Sequence, residues 1–84
     1  MKILIVEDER NLCEMMQETL EKERYVVETA SNFGDAKEKI ELYAYDCILL
    51  DIMLPDGNGL HLLKTLKTLH KSEGVIIIDR KSVV

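Results

Sequence analysis

Hydrophobic and polar positions follow two rhythms along this 84-residue chain. Residues Lys2 to Val6 form a continuous, β-branched apolar run that acids end at once, the pattern of a strand covered on both faces. Over residues 9–23 the period changes. Leu12, Met15, Met16, Thr19 and Leu20 fall at i, i+3, i+4, i+7 and i+8 among Glu, Gln, Arg and Lys, which predicts an amphipathic helix. Tyr25 to Ala30 is rich in β-branched residues and reads as a second strand. Ser31 or Asn32 can cap a second helix whose apolar positions are Phe33, Ala36, Ile40 and Tyr43.

Asp46 to Asp51 (DCILLD) predicts a third buried strand. Pro55, Gly57, Asn58 and Gly59 then break the chain into a loop. Asn58 can cap a third helix over about residues 59–70, with a stripe of Leu62, Leu63, Leu66 and Leu69; Gly74 ends that region, and Val75 to Ile78 reads as a fourth buried strand. Strands alternating with helices predict βαβ units, right-handed crossovers and a parallel sheet with helices on both faces. The expected class is α/β with a flavodoxin-like strand order of 2-1-3-4. Sites in such sheets form at the carboxyl ends of the strands, where the strand order reverses.

Composition narrows the function. The formal net charge is −5, and no Lys/Arg stripe of the kind that phosphate backbones recruit is present, so direct nucleic-acid binding is not expected. Acids crowd the first half of the chain, mostly on helix faces where they serve solvation. No apolar run approaches the roughly 20 residues that span a bilayer. The opening MKILIV meets Glu-Asp-Glu at once and does not read as a signal peptide, which points to the cytoplasm. Cys13 and Cys47 lie in apolar neighbourhoods, match no metal-ligand spacing and read as small buried hydrophobes of a reducing compartment.

Three acids fall at strand ends: Glu7 and Asp8 directly after the first strand, and Asp51 closing the third. With strands one and three adjacent, these carboxylates converge at the top edge of the sheet. Their mutual repulsion is relieved by a hard divalent cation, and oxygen-only ligands favour Mg²⁺ or Mn²⁺ over zinc. A carboxylate fixed beside such a cation can attack a phosphoryl group and form an acyl phosphate, with catalysis mostly by positioning and charge neutralisation. Against this stands the plainer reading, in which Asp51 is a turn residue and Glu7-Asp8 caps the next helix. The Pro-Asp-Gly-x-Gly that follows Asp51 makes the combination more specific than either acid alone. Gly57-Asn58-Gly59 is not a dinucleotide fingerprint, because it follows the third strand and lacks the third glycine. No P-loop, HExxH or Ser/His/Asp arrangement is present, and His61 and His70 read as surface residues of the third helix.

ILIVEDE, DCILLDIMLPDGNGL and GVIII together resemble the receiver domain of two-component response regulators, in particular receivers of the winged-helix transcription-regulator class. The resemblance covers residues 1 to about 78. It implies that Asp51 accepts a phosphoryl group from a sensor histidine kinase. It implies Mg²⁺ held directly by Asp8, Asp51 and the backbone carbonyl of Met53, with Glu7 acting through water. Pro55 and Gly59 would shape the loop. The family pattern then places a Ser or Thr at the end of the fourth strand and a Lys at the end of a fifth, which the phosphate draws in.

The chain departs from that pattern after Ile78. Asp79 stands where the hydroxyl is expected, and an acid there repels phosphate. Lys81 and Ser82 are displaced for the roles of the missing Lys and hydroxyl. Residues 1–78 therefore read as a partial receiver domain with the fifth strand missing, and 79–84 as a tail outside the family pattern. Such a piece is expected to switch poorly, and to self-associate through the edge of the fourth strand (residues 75–78) and uncovered apolar faces, oligomerisation completing the fold. Two readings compete with signalling. A phosphatase or dehalogenase-type hydrolase would use Asp51 as nucleophile, but Met53 stands where such enzymes typically carry a second Asp. A non-catalytic interaction module would leave the acids incidental. The phosphoacceptor reading makes the chain no turnover enzyme, with at most self-phosphorylation and autodephosphorylation chemistry.

Overall fold

A computed structural model of the chain describes residues 1–51, 53–54, 57–58, 61, 64 and 74–78. The elements are β1 (Lys2–Val6), α1 (Arg10–Lys22), β2 (Val26–Ala30), α2 (Phe33–Leu42), β3 (Cys47–Asp51), β4 (Met53–Leu54), β5 (Gly57–Asn58) and β6 (Gly74–Ile78). Four strands form one parallel sheet in the order β2-β1-β3-β6. This is the 2-1-3-4 order expected of a flavodoxin-like fold, with β6 as the fourth large strand.

Strand alternation divides the side chains between the two faces of the sheet. Leu4 and Val6 of β1, Ala30 of β2, and Ile48 and Leu50 of β3 gather with Ala36 and Ile40 of α2 and with Tyr45, and Phe33 packs against this cluster. The helix period of α2 thus meets the strand period of the sheet in a closed core. Ile3 and Ile5 point the other way and are also buried. On that second face, however, Cys47 and Leu49 are only half-buried, and no residue of α1 is fully buried. Met15, on the predicted apolar stripe, is 57% exposed. Met15, Met16, Thr19, Leu20 and Leu49 instead line an open apolar groove of about 320 Å³. The amphipathic period of α1 is therefore present, but its apolar stripe is only partly used among the described residues.

Both ends of α1 are set by local chemistry. Glu9 is the N-cap, its two carboxylate oxygens accepting from the amides of Asn11 at 3.1 Å and Leu12 at 2.8 Å. At the other end the Arg24 amide donates to Glu21 O at 2.9 Å and the Tyr25 amide to Leu20 O at 3.3 Å. This is the bond pair of a Schellman motif, and it places Arg24 at φ 68°, in the left-handed region that favours glycine. Tyr25, read as the start of a strand, belongs to this turn. Asn32, rather than Ser31, caps α2 by accepting from the Asp35 amide at 2.7 Å. Tyr43 is the exposed C-cap of α2 rather than one of its apolar positions.

Asp46 likewise precedes β3 rather than opening it. Its carboxylate accepts from the Lys2 amide at 2.7 Å, and its amide donates to Lys2 O at 2.8 Å, so the loop before β3 clips onto the start of β1. Two further differences follow the breaker residues. Gly74 begins β6 instead of ending the preceding region. Within the expected loop, Met53 pairs with Asn58 and Leu54 with Gly57 in a short antiparallel ladder, so Asn58 is a strand residue. Of the third helix expected over 59–70, His61 and Lys64 are helical and exposed. The remainder of that stretch, with His70, lies outside the described residues, as do Pro55, Gly59, Asp79, Lys81 and Ser82. No helix among the described residues is long and apolar enough to cross a membrane.

Candidate cation and phosphoacceptor site

The register of the sheet builds the site. Val6, the last residue of β1, pairs with Leu50 of β3 and with Ala30 of β2. One residue further along, Glu7 therefore arrives beside Asp51 at the carboxyl edge. The Glu7 amide continues the ladder by donating to Ala30 O at 3.0 Å, which fixes the backbone just where it leaves the sheet. Asp51 is the last residue of β3, and its backbone is held from the other side by pairing with Ile78 of β6.

Glu7, Asp8 and Asp51 each bring a carboxylate oxygen within 4.8 Å of the other two. Glu7 and Asp51 are each 1% exposed, and Asp8 is exposed at the mouth. Burial of carboxylates is unfavourable without compensation, and like charges at this separation add to the penalty. An all-oxygen acidic donor set with one open side is what a hard divalent cation such as Mg²⁺ takes. The sulfur of Cys13, which lines the same cleft, does not change that chemistry. Partial burial, followed by the nearby Glu7 and Glu14 carboxylates, pushes the Cys13 thiol up from its ordinary value, so it stays protonated at neutral pH. The Cys47 thiol is raised too, by burial. Neither cysteine is as deeply buried as its apolar sequence neighbourhood suggests.

The structure gives the cap of α1 to neither Glu7 nor Asp8. The helix cap falls to Glu9, and Glu7 Oε1 accepts from the Glu9 amide at 3.1 Å. Asp8 stands among the site carboxylates instead of capping α1. Met53 lies two residues beyond Asp51, in β4. His61 is exposed, its ring edge-on to Phe33 at 6.2 Å, as a surface residue should be.

Sequence reasoning missed the surroundings of the acids. Glu7 and Asp8 open into a cleft of about 460 Å³ that continues over Arg10, Cys13, Glu14 and Gln17 of α1 and the β2 end at Thr29 to Ser31. The signal was present: Arg10, Cys13, Glu14 and Gln17 fall at i, i+3, i+4 and i+7, a second stripe beside the apolar one. Arg10, one of the lining residues, is ion-paired with Glu14 at 3.1 Å in an exposed i, i+4 bridge.

Fold and site together define a doubly wound α/β domain with a cation-ready acidic pocket at the carboxyl edge of its sheet. The chain belongs to the response regulator receiver domain family, whose profile matches residues 3–83. Among curated proteins it is 41% identical over 81 residues to the response regulator ArlR of Staphylococcus aureus, a match that covers 96% of this chain and 36% of that protein. The chain thus spans little more than a third of the length of that relative. Among solved structures it resembles the response regulator TrrA of Thermotoga maritima in complex with Mg²⁺-BeF, with 33% identity, a TM-score of 0.89, and coverage of 96% of this chain and 70% of that one. The non-phosphorylated HemR receiver domain of Leptospira biflexa aligns with 32% identity and a TM-score of 0.89, covering 99% of this chain and 67% of that one.

Proposed function

We propose that this chain is the phosphoacceptor module of a two-component relay, with Asp51 as the residue that receives the phosphoryl group. One observation carries the reading: Asp51, 1% exposed and held at the end of a paired strand, lies within 4.8 Å of two further carboxylates, a donor set that suits a divalent cation. Asp8 and Asp51 would hold Mg²⁺ directly with the Met53 carbonyl, and Glu7 through a water. The Mg²⁺-BeF complex of TrrA supports this assignment. When bound, the cation supplies charge neutralisation at the phosphoryl oxygens.

The donor proposed is a phosphohistidine on a sensor kinase. An Asp51 carboxylate oxygen forms the new O–P bond as the P–N bond to the imidazole breaks, and the ring nitrogen leaves with the electron pair. The sheet's contribution is to hold the nucleophile rigid for in-line attack. Transcriptional control through a winged-helix output domain is the proposed use of the signal in the whole protein. At position 79 an acid occupies the place where the family pattern has a hydroxyl, which supports weak switching and a short-lived phosphoryl adduct. The edge of β6, paired on one side only among the described residues, and the half-open groove on α1 support self-association of the chain.

The test is incubation with acetyl phosphate, with and without Mg²⁺, followed by intact mass. A small, transient, Mg²⁺-dependent adduct that disappears in Asp51→Asn is expected. An adduct that persists in Asp51→Asn, or that forms equally without Mg²⁺, would overturn the assignment. A complete and lasting adduct on Asp51 would overturn the switching defect.

A further inference from the structure

The tripeptide Glu7-Asp8-Glu9 offers three carboxylates to two demands. One is the cation site at the sheet edge; the other is the set of amides at the N-terminus of α1, which lack partners within the helix. Aspartate is among the best N-cap residues and glutamate is not, so local preference alone would assign the cap to Asp8. The structure assigns it to Glu9. Both Glu9 oxygens are used, one on the Asn11 amide at 3.1 Å and one on the Leu12 amide at 2.8 Å, while Glu9 O accepts from the Cys13 amide at 3.0 Å. The Glu9 amide donates in turn to Glu7 Oε1 at 3.1 Å. One residue therefore ties the first turn of α1 to a buried carboxylate of the site, and α1 has no other acid in its first turn to balance its positive end.

We propose that Glu9 is a positioning residue for the cation site: by capping α1 itself, it holds the β1–α1 turn so that Asp8 stays beside Glu7 and Asp51. Without a cap at Glu9, Asp8 is the next side chain able to serve the helix amides. An aspartate engaged there is withdrawn from the cation. The inference rests on the cation reading above and adds a residue that holds no metal.

The experiment separates the cap from the charge. Mn²⁺ binding is followed by loss of the free-ion EPR signal in the unaltered chain, in Glu9→Ala and in Glu9→Ser, with circular dichroism to establish that each variant is folded. Serine caps a helix without carrying charge. Glu9→Ala should weaken Mn²⁺ binding several-fold, within the roughly two- to thirtyfold that loss of a cap is worth if all of it falls on the site. Glu9→Ser should stay within about twofold of the unaltered chain, since the cap is restored. Equal weakening in both variants would overturn the proposal in favour of a plain charge effect. Unchanged binding in Glu9→Ala would overturn it outright. No Mn²⁺ uptake by the unaltered chain would overturn the cation reading itself, a result distinct from either.

Discussion

Glu7 and Asp51, the residues that follow paired positions of β1 and β3, are both 1% exposed and hold their carboxylates within 4.8 Å of each other. At an effective dielectric near 20, two unit charges at that separation repel by about 3 kcal/mol. A well-packed sheet edge is therefore built against its own electrostatics. Asp51→Asn should raise the stability of the metal-free chain by about 1–2 kcal/mol, since other groups share the repulsion. Mg²⁺ should raise the melting temperature of the unaltered chain and have little effect on Asp51→Asn. Thermal melts with EDTA and with Mg²⁺ check both; an Asp51→Asn chain less stable than the original in EDTA would contradict the account.

A second cluster sits away from the acids. Tyr45 Oη donates to Glu28 Oε1 at 2.6 Å, and Lys2 Nζ lies 3.3 Å from Glu28 Oε2 and over the Tyr43 and Tyr45 rings. The Tyr45 hydrogen bond, helped by Lys2, holds the Glu28 carboxyl below its ordinary value against a smaller opposing effect of burial. A lowered carboxyl pKa stabilises the fold above the usual glutamate range, and that contribution is lost as pH falls through the folded value. Burial, and then the Glu28 carboxylate, push the Tyr45 hydroxyl above its ordinary value. Its contribution is complete below about pH 10 and is lost as pH rises beyond that. Glu28→Gln should flatten the acid limb of the stability curve and Tyr45→Phe the alkaline limb, measured as urea midpoints against pH.

Arg24 at φ 68° occupies the glycine position of the Schellman turn. Replacing it by glycine relieves left-handed strain but adds freedom to the unfolded chain. The first effect is the larger, and Arg24→Gly should stabilise by about 0.5–1 kcal/mol. Chemical denaturation reads this directly, and a destabilised variant would show that the Arg24 side chain does more than fill the turn.

The closed face of the sheet should be the more sensitive one. Ile40 is fully buried among Leu4, Val6, Ile48 and Leu50, whereas Met15 is mostly exposed. Ile40→Ala should destabilise by about 2–5 kcal/mol, and Met15→Ala by well under 1 kcal/mol. Equal losses would mean that the α1 groove is filled in solution.

Self-association makes that alternative measurable. Sedimentation or light scattering at low micromolar concentration should give a species larger than one chain, and Leu49→Lys should reduce it. A well-folded monomer would end the idea.

Much of this architecture was legible before any coordinates. β-branched runs, helical periods and the alternation of elements depend on local backbone preference and on burial, and both are written residue by residue. The carboxylates were legible too, because acids directly after apolar strands sit where a parallel sheet opens its sites. Boundaries shifted where a particular hydrogen bond overrode propensity: locally, Tyr25 went to the Schellman turn and Tyr43 to the α2 cap, and through a tertiary bond Asp46 went to Lys2.

By itself, then, the order of residues determined the parallel α/β class and the candidacy of Glu7, Asp8 and Asp51, because each follows from short-range pattern and one topological rule, while the strand order came with the family resemblance. Only the tertiary structure decided which carboxylate caps α1, that Glu7 and Asp51 are buried side by side, and that, among the described residues, one face of the sheet is closed by α2 while the other is half-open under α1. Those outcomes depend on register and on competition between neighbouring side chains for the same amides, and such competition is resolved only when the strands and helices are in place.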